Sequence, residues 1–125
     1  MHGPQQKKRV LAKLLEKHRR QPIMVFVNQK ADTETLQQYI KKELHVNAVA
    51  LHGSKTQQLR ELALDTFREG KADVLVCTNV AARGIDIDSV SLVINYDAPF
   101  TLTDYIHRIG RTGRAGKHGQ AVTLL

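Results

Sequence analysis

Apolar positions alternate between two rhythms along this chain. Val10, Leu11, Leu14 and Leu15 fall at helical spacing among lysines and arginines, which predicts an amphipathic helix over residues 5–20, closed by Gln21-Pro22. Residues 23–27 then form a short unbroken apolar run, the pattern of a strand buried on both faces, and Asn28-Gln29-Lys30 turns the chain. A second helix follows, capped by Asp32 or Thr33, with Leu36, Tyr39, Ile40 and Leu44 on its inner side. Residues 46–51 read as the next strand, ending at His52-Gly53-Ser54. Residues 55–69 read as a third helix with Leu59, Leu62, Ala63, Thr66 and Phe67 inward and Gly70 at the position just past its end. Further strands are expected over 74–77, 92–96 and 121–125. Strands alternating with helices predict an α/β fold: a parallel sheet with helices on both faces. The polar, glycine-bearing segments follow strands, and that carboxyl edge is where open α/β sheets place ligands.

The chain has 125 residues, 42% of them hydrophobic, enough for one domain that buries roughly two thirds of its unfolded surface. No internal repeat, linker or low-complexity tract divides it. A formal charge of +7 favours a polyanionic partner, nucleic acid before membrane, because no basic helix carries the large apolar face a membrane requires. Aromatic residues are 5%, so recognition by successive base stacking is disfavoured and backbone contact is the better expectation. The single cysteine, Cys77, excludes an internal disulfide framework, fits a reducing compartment and reads as a small buried hydrophobe. The six histidines have no metal-ligand spacing and no carboxylate pair is placed as a hydrolytic acid and base, so no protein-ligated metal is expected.

Three segments carry candidate chemistry. In Y-I-H-R-I-G-R-T-G-R-A-G-K, residues 105–117, Arg108, Arg111, Arg114 and Lys117 recur every third residue with no acid between them. On one continuous helix they would repel one another. Gly110, Gly113 and Gly116 instead let the backbone turn, so that Arg111 and Arg114 can converge on a phosphoryl group. A solvated basic face is the alternative, and for Arg108 a surface ion pair with Asp104, four residues earlier, competes with a functional role. In T-N-V-A-A-R-G-I-D, residues 78–86, Ala81, Ala82 and Gly84 allow close backbone approach, Thr78 offers a hydroxyl to a phosphate, and Asp86 suits a ribose hydroxyl or a helix cap. Arg83 stays open between a contact and plain solvation. In L-H-G-S-K-T-Q-Q-L-R, residues 51–60, Ser54 or Thr56 can cap the helix, and Gln57 and Arg60 share its outer face, as a ligand contact or as ordinary surface polarity. His52 reads as a hydrogen-bonded turn residue. The phosphate-cradling G-x-x-x-x-G-K-[ST] is absent: Gly70-Lys71 is followed by Ala72 and Gly116-Lys117 by His118. The arginines therefore read as one half of a nucleotide site.

Together these segments resemble the second, C-terminal RecA-like domain of superfamily 2 helicases, most closely the DEAD-box ATP-dependent RNA helicases. F-V-N at 26–28 resembles motif IV, H-G-x-x-x-Q-x-x-R at 52–60 motif IVa, residues 78–86 motif V, V-I-N-Y-D-A-P at 93–99 the segment that follows, and H-R-I-G-R-T-G-R-A-G at 107–116 motif VI. The resemblance implies a RecA-like, three-layer α/β/α domain of the P-loop NTPase type, with a mostly parallel sheet and no P-loop of its own. Residues 1–125 would be one domain of a longer two-domain core. It further implies that Arg111 and Arg114 reach the γ-phosphate of ATP, Arg114 as arginine finger, that Asp86 binds the ribose, and that Gly84 lies beside nucleotide and RNA backbone. Thr78 and Arg60 would contact RNA phosphates, Asn28 and Gly53 more weakly, and Gln57 and His107 would couple RNA and nucleotide occupancy across the cleft. ATP with Mg²⁺ would be held mainly by the N-terminal RecA-like domain. The implied partners are that domain, single-stranded or locally duplex RNA, and protein cofactors, with no membrane, in a monomer of nucleus or cytoplasm. The isolated domain would be inactive. Two departures stand out: Asn79 occupies the position where the family usually has Asp, and Gln29 the position where Thr is common. Asn79 keeps an acceptor but loses a charge, so the link between motifs V and VI is expected to be weaker or differently partnered. A free-standing module holding RNA backbone or a protein is the competing reading.

Overall fold

The computed structural model describes residues 4–83, 90–109 and 120–124. Its elements run α1 (Pro4–Lys17), β1 (Ile23–Phe26), α2 (Lys30–Glu43), β2 (Ala48–Leu51), α3 (Gln57–Arg68), β3 (Val74–Cys77), α4 (Asn79–Ala82), β4 (Leu92–Asn95), α5 (Leu102–Ile109) and β5 (Gln120–Thr123). The five strands form one sheet in the order β2-β3-β1-β4-β5. All four pairings among these strands are parallel, with Ile23 opposite both Val74 and Leu92.

Alternation along each strand feeds two cores. Ile23, Val25, Val27, Val74, Val76, Leu92 and Ile94 pack with Leu11 and Leu15 of α1 and Leu36 and Ile40 of α2. Met24, Phe26, Leu75, Cys77 and Val93 face the other way, toward Leu64 and Phe67 of α3 and Ala81 and Ala82 of α4. Burial on both faces explains why β1, β3 and β4 read as unbroken apolar runs. Cys77 is wholly buried in the second core.

Several local expectations need correction. α2 begins at Lys30, and neither Asp32 nor Thr33 caps it: the cap position is Gln29, which makes no side-chain bond. Thr33 is instead buried one turn inside, its hydroxyl donating to the Lys30 carbonyl at 2.6 Å. α3 is two residues shorter at its start and one at its end than expected. Thr56 caps it, accepting from the Leu59 amide at 3.2 Å. Gly70 does follow its end, at φ 77°, with Gly70 N–H donating to Phe67 and Lys71 N–H to Thr66. Leu59 and Leu62 do not face inward: they are 52% and 63% exposed, while Ala63, Leu64 and Phe67 form the buried stripe. β2 is an edge strand, so α3 overhangs the sheet and its first turns rim an open groove of about 320 Å³ beside Val49 and Ala50. α5 was not foreseen as a helix. Thr101 starts it, its hydroxyl accepting from Asp104 N–H at 3.0 Å.

Strand order reverses across β1: the chain builds β2 and β3 on one side of it and β4 and β5 on the other. Such a switch point opens a crevice at the carboxyl ends of the strands.

Candidate functional site

The candidate segments that follow strands leave the sheet at that carboxyl edge. Asn28 follows β1, Gly53 follows β2, Thr78 follows β3, and Tyr96-Asp97 follows β4. Arg108, on the last turn of α5, joins three of these strand ends, those of β1, β3 and β4. It is 2% exposed, so it is not a surface partner of Asp104. Its Nη2 donates to Asn28 Oδ1 at 2.7 Å, and Nη1 donates to the Asp97 carbonyl at 2.7 Å and to Asn95 Oδ1 at 3.4 Å. Nε donates to Asn79 Oδ1. The guanidinium carbon lies 5.1 Å from the centroid of the Phe26 ring, a cation–π contact from beneath. Burial pushes the guanidinium pKa down, and the nearby Asp104 and Asp97 carboxylates offset this in part. The group stays protonated, as arginine does in proteins.

The acceptors around Arg108 are themselves fixed. Asn28 N–H donates to Asp97 Oδ2 at 2.9 Å and its Nδ2 to the Ala98 carbonyl at 3.1 Å. Asn95 is fully buried and donates from Nδ2 to Thr123 Oγ1 at 3.1 Å, which ties β4 to β5. Asn79 therefore does keep motifs V and VI linked, through an uncharged oxygen. Asp104 pairs instead with Arg83 Nη2, 3.9 Å away.

Other site residues present themselves differently. Thr78 is 5% exposed, and its oxygen caps α4 by accepting from Ala81 N–H at 3.3 Å, leaving the hydroxyl proton to donate. Gly53 is exposed, and a Cβ there would meet nothing within 4 Å, so another backbone has room to approach. Gln57 is exposed and donates to Glu61 Oε1 at 2.9 Å, Arg60 is half-buried one turn later, and His107 is exposed on α5. His52 is a turn residue: Nδ1 accepts from Ser54 N–H at 3.2 Å, so Nε2 carries the proton toward Glu34 Oε1 at 3.3 Å. Burial raises the Glu34 pKa, but Lys55, at 3.0 Å, and His52 outweigh it and hold the carboxyl below its usual range. Gly84, Asp86, Arg111 and Arg114 lie outside the described residues.

A cavity of about 390 Å³ opens between α1 and α2 at the same edge, with Tyr39 and Tyr96 as walls. The chain meets its charges internally. Lys7 Nζ lies 3.7 Å from Asp97 Oδ1 and 5.5 Å from the Tyr96 ring, and Lys8 Nζ lies 4.8 Å from the Tyr39 ring. Burial, then Asp97, Tyr39 and Asp32, raise the Tyr96 hydroxyl pKa. Among the described residues no cluster of three histidine, cysteine or carboxylate side chains could hold a metal, and no helix is long and apolar enough to cross a membrane.

Sequence reasoning missed the Arg108 hub. The only local signal was that three of its acceptors are asparagines within two residues of the ends of apolar runs.

The edge geometry, the motif order and a family match agree. Residues 6–116 match the model of the helicase conserved C-terminal domain. The chain belongs to that helicase family, on its DEAD-box branch. It is 50% identical over 125 residues to the probable ATP-dependent RNA helicase DDX23 of Homo sapiens, covering all of this chain and 15% of that protein. It superposes on the crystal structure of the yeast DEAD-box splicing factor Prp28 with a TM-score of 0.94 at 42% identity, covering 100% of this chain and 27% of that one. The S. cerevisiae DEAD-box protein Dbp5 bound to RNA and ADP BeF3 gives a TM-score of 0.85 at 41% identity, over 97% of this chain and 32% of that one. The DEAD-box chain thus has a RecA-like α/β fold, and it spans about a sixth of the length of the curated relatives it matches.

Proposed function

We propose that this domain is the second half of an ATP-dependent RNA helicase core, completing an ATPase site whose P-loop lies on a preceding RecA-like domain. The observation that carries this reading is the convergence of motifs IV, V and VI on one buried guanidinium at the sheet's switch point, in a chain with no P-loop. Thr78 and Arg60 contact RNA phosphates, with Asn28 and Gly53 contributing less. Asp86 holds the ribose, Gly84 lies beside nucleotide and RNA backbone, and Arg111 and Arg114 meet the γ-phosphate, Arg114 as the finger. The bound nucleotide is ATP with Mg²⁺, held mainly by the other domain. Gln57 and His107, both exposed, reach across the cleft. Phe100, Leu102 and Ile106, 80%, 73% and 53% exposed, supply an apolar surface beside the site for another domain to cover.

Closure then follows. RNA and ATP bind across both domains, arginines aimed at the developing phosphoryl charge stabilise the transition state, and the bent strand leaves its duplex. Hydrolysis reopens the cleft. The names of the relatives extend the proposal to a nuclear role in pre-mRNA splicing, by likeness alone.

The test is RNA-stimulated ATP hydrolysis by the full-length parent protein, comparing wild type with Arg114→Ala and Asp86→Ala at one salt concentration. Arg114→Ala is expected to lower turnover by roughly 10³ to 10⁵ with ATP binding largely intact. Undiminished turnover would leave the domain a basic binding module.

A further inference from the structure

Arg108 is the one buried Lys, Arg, Asp or Glu side chain among the described residues, and all four oxygens it contacts are uncharged. Three are asparagine side chains and the fourth is a backbone carbonyl. A buried cation without a carboxylate is costly unless its donors are well met, and a planar fork meets dipoles in fixed directions. The acceptors come from the end of β1, the start of α4, and β4 with its exit. No other described side chain bonds to all three.

The acceptors are also neighbours of the proposed ligand contacts. Asn79 directly follows Thr78, Asn28 is itself an RNA candidate, and Arg111 and Arg114 lie three and six residues after Arg108 in the sequence. Displacing Asn28 or Thr78 must therefore disturb the guanidinium, and the reverse. Within the helicase reading, on which this rests, we infer that Arg108 is a positioning residue through which RNA and nucleotide occupancy communicate inside this domain, with Asn79 as its latch. Gln57 and His107 act outward, between domains. Arg108 acts inward, between motifs. Asn79 holds Nε by geometry and not by charge, so the link depends on an acceptor oxygen at position 79 and not on an anion there.

The experiment measures the affinity of the full-length protein for a non-hydrolysable ATP analogue, with and without saturating single-stranded RNA. The ratio of the two affinities is the coupling. Coupling of this kind is typically about 5- to 150-fold. Asn79→Leu and Arg108→Lys should each lower the ratio at least about fivefold. Asn79→Asp, which keeps the oxygen, should stay within about threefold of wild type. Thermal melts run beside each variant, because a merely structural role lowers every affinity in step with the folded fraction and leaves the ratio intact. An unchanged ratio in folded Asn79→Leu overturns the inference, as does loss of the ratio in Asn79→Asp. Should Arg108→Lys fail to fold, the two position-79 variants decide. A wild-type ratio of one overturns the helicase reading as well, whereas a coupled wild type with coupled variants overturns only the role of Arg108.

Discussion

The hub around Arg108 and the first turn of α3 use the same chemistry to opposite ends. Both place an arginine within a turn or a strand end of amide side chains. In the hub the arginine is buried and meets Asn28, Asn79, Asn95 and the Asp97 carbonyl. On α3 Gln57 is exposed and bonds only to Glu61, while Arg60 bonds to no side chain among the described residues. A polar group satisfied inside the fold fixes the shape of an edge, and one left to solvent is free to meet a ligand. Motif residues alone do not distinguish these jobs; burial and partners do.

The sharpest way to break this contrast is to remove what lies under the hub. Phe26→Ala deletes a ring that is 1% exposed and faces the guanidinium, and is expected to cost about 3–5 kcal/mol in denaturant unfolding. Leu62→Ala on α3, 63% exposed, should stay within about 0.5 kcal/mol. Equal costs would mean that the two regions are not different in kind. Next, Thr56→Ala removes the cap of α3 and should cost about 1 kcal/mol by the same measurement, a local loss that leaves the hub alone. Arg60→Ala should leave stability within about 0.5 kcal/mol yet weaken RNA binding and flatten its salt dependence by about one unit of log–log slope. An unaltered slope would make Arg60 ordinary surface. The smallest effect is at Glu34. Its carboxyl titrates lower in the folded chain than unfolded, so its contribution is full above about pH 4.3 and is lost as pH falls through the folded value. Glu34→Gln should therefore lower stability slightly at neutral pH in denaturant unfolding, with the difference from wild type vanishing as pH falls below the folded Glu34 value.

Strand content was legible because β1, β3 and β4 are buried on both faces, a pattern that needs no knowledge of neighbours. Gly70 was legible because a helix end needing positive φ favours glycine. α2 was misread at its start because Asp32 and Thr33 look like caps, yet the helix had begun two residues earlier. Leu59 and Leu62 were misread because periodicity gives a helix an apolar face but not the width of the sheet it must cover. α5 was missed because the charge run beginning at Arg108 and the glycines after it dominated the reading. The motif order pointed to the carboxyl edge and to the family. Sequence spacing leaves Arg108 open between a surface ion pair and a functional role, and its burial excludes the first.

By itself the sequence determined the five strands and the first three helices, their alternation, the parallel architecture, the lack of a P-loop and the motifs that mark the domain. These follow from local periodicity and from residue chemistry, which act over a few positions. Only the tertiary structure decided that β1 is central, that α3 overhangs an edge strand, and that Arg108 is buried against uncharged acceptors. Asn28 and Arg108 are 80 residues apart and Asn79 and Arg108 are 29 apart. Their meeting depends on the strand order, and no window of sequence contains it.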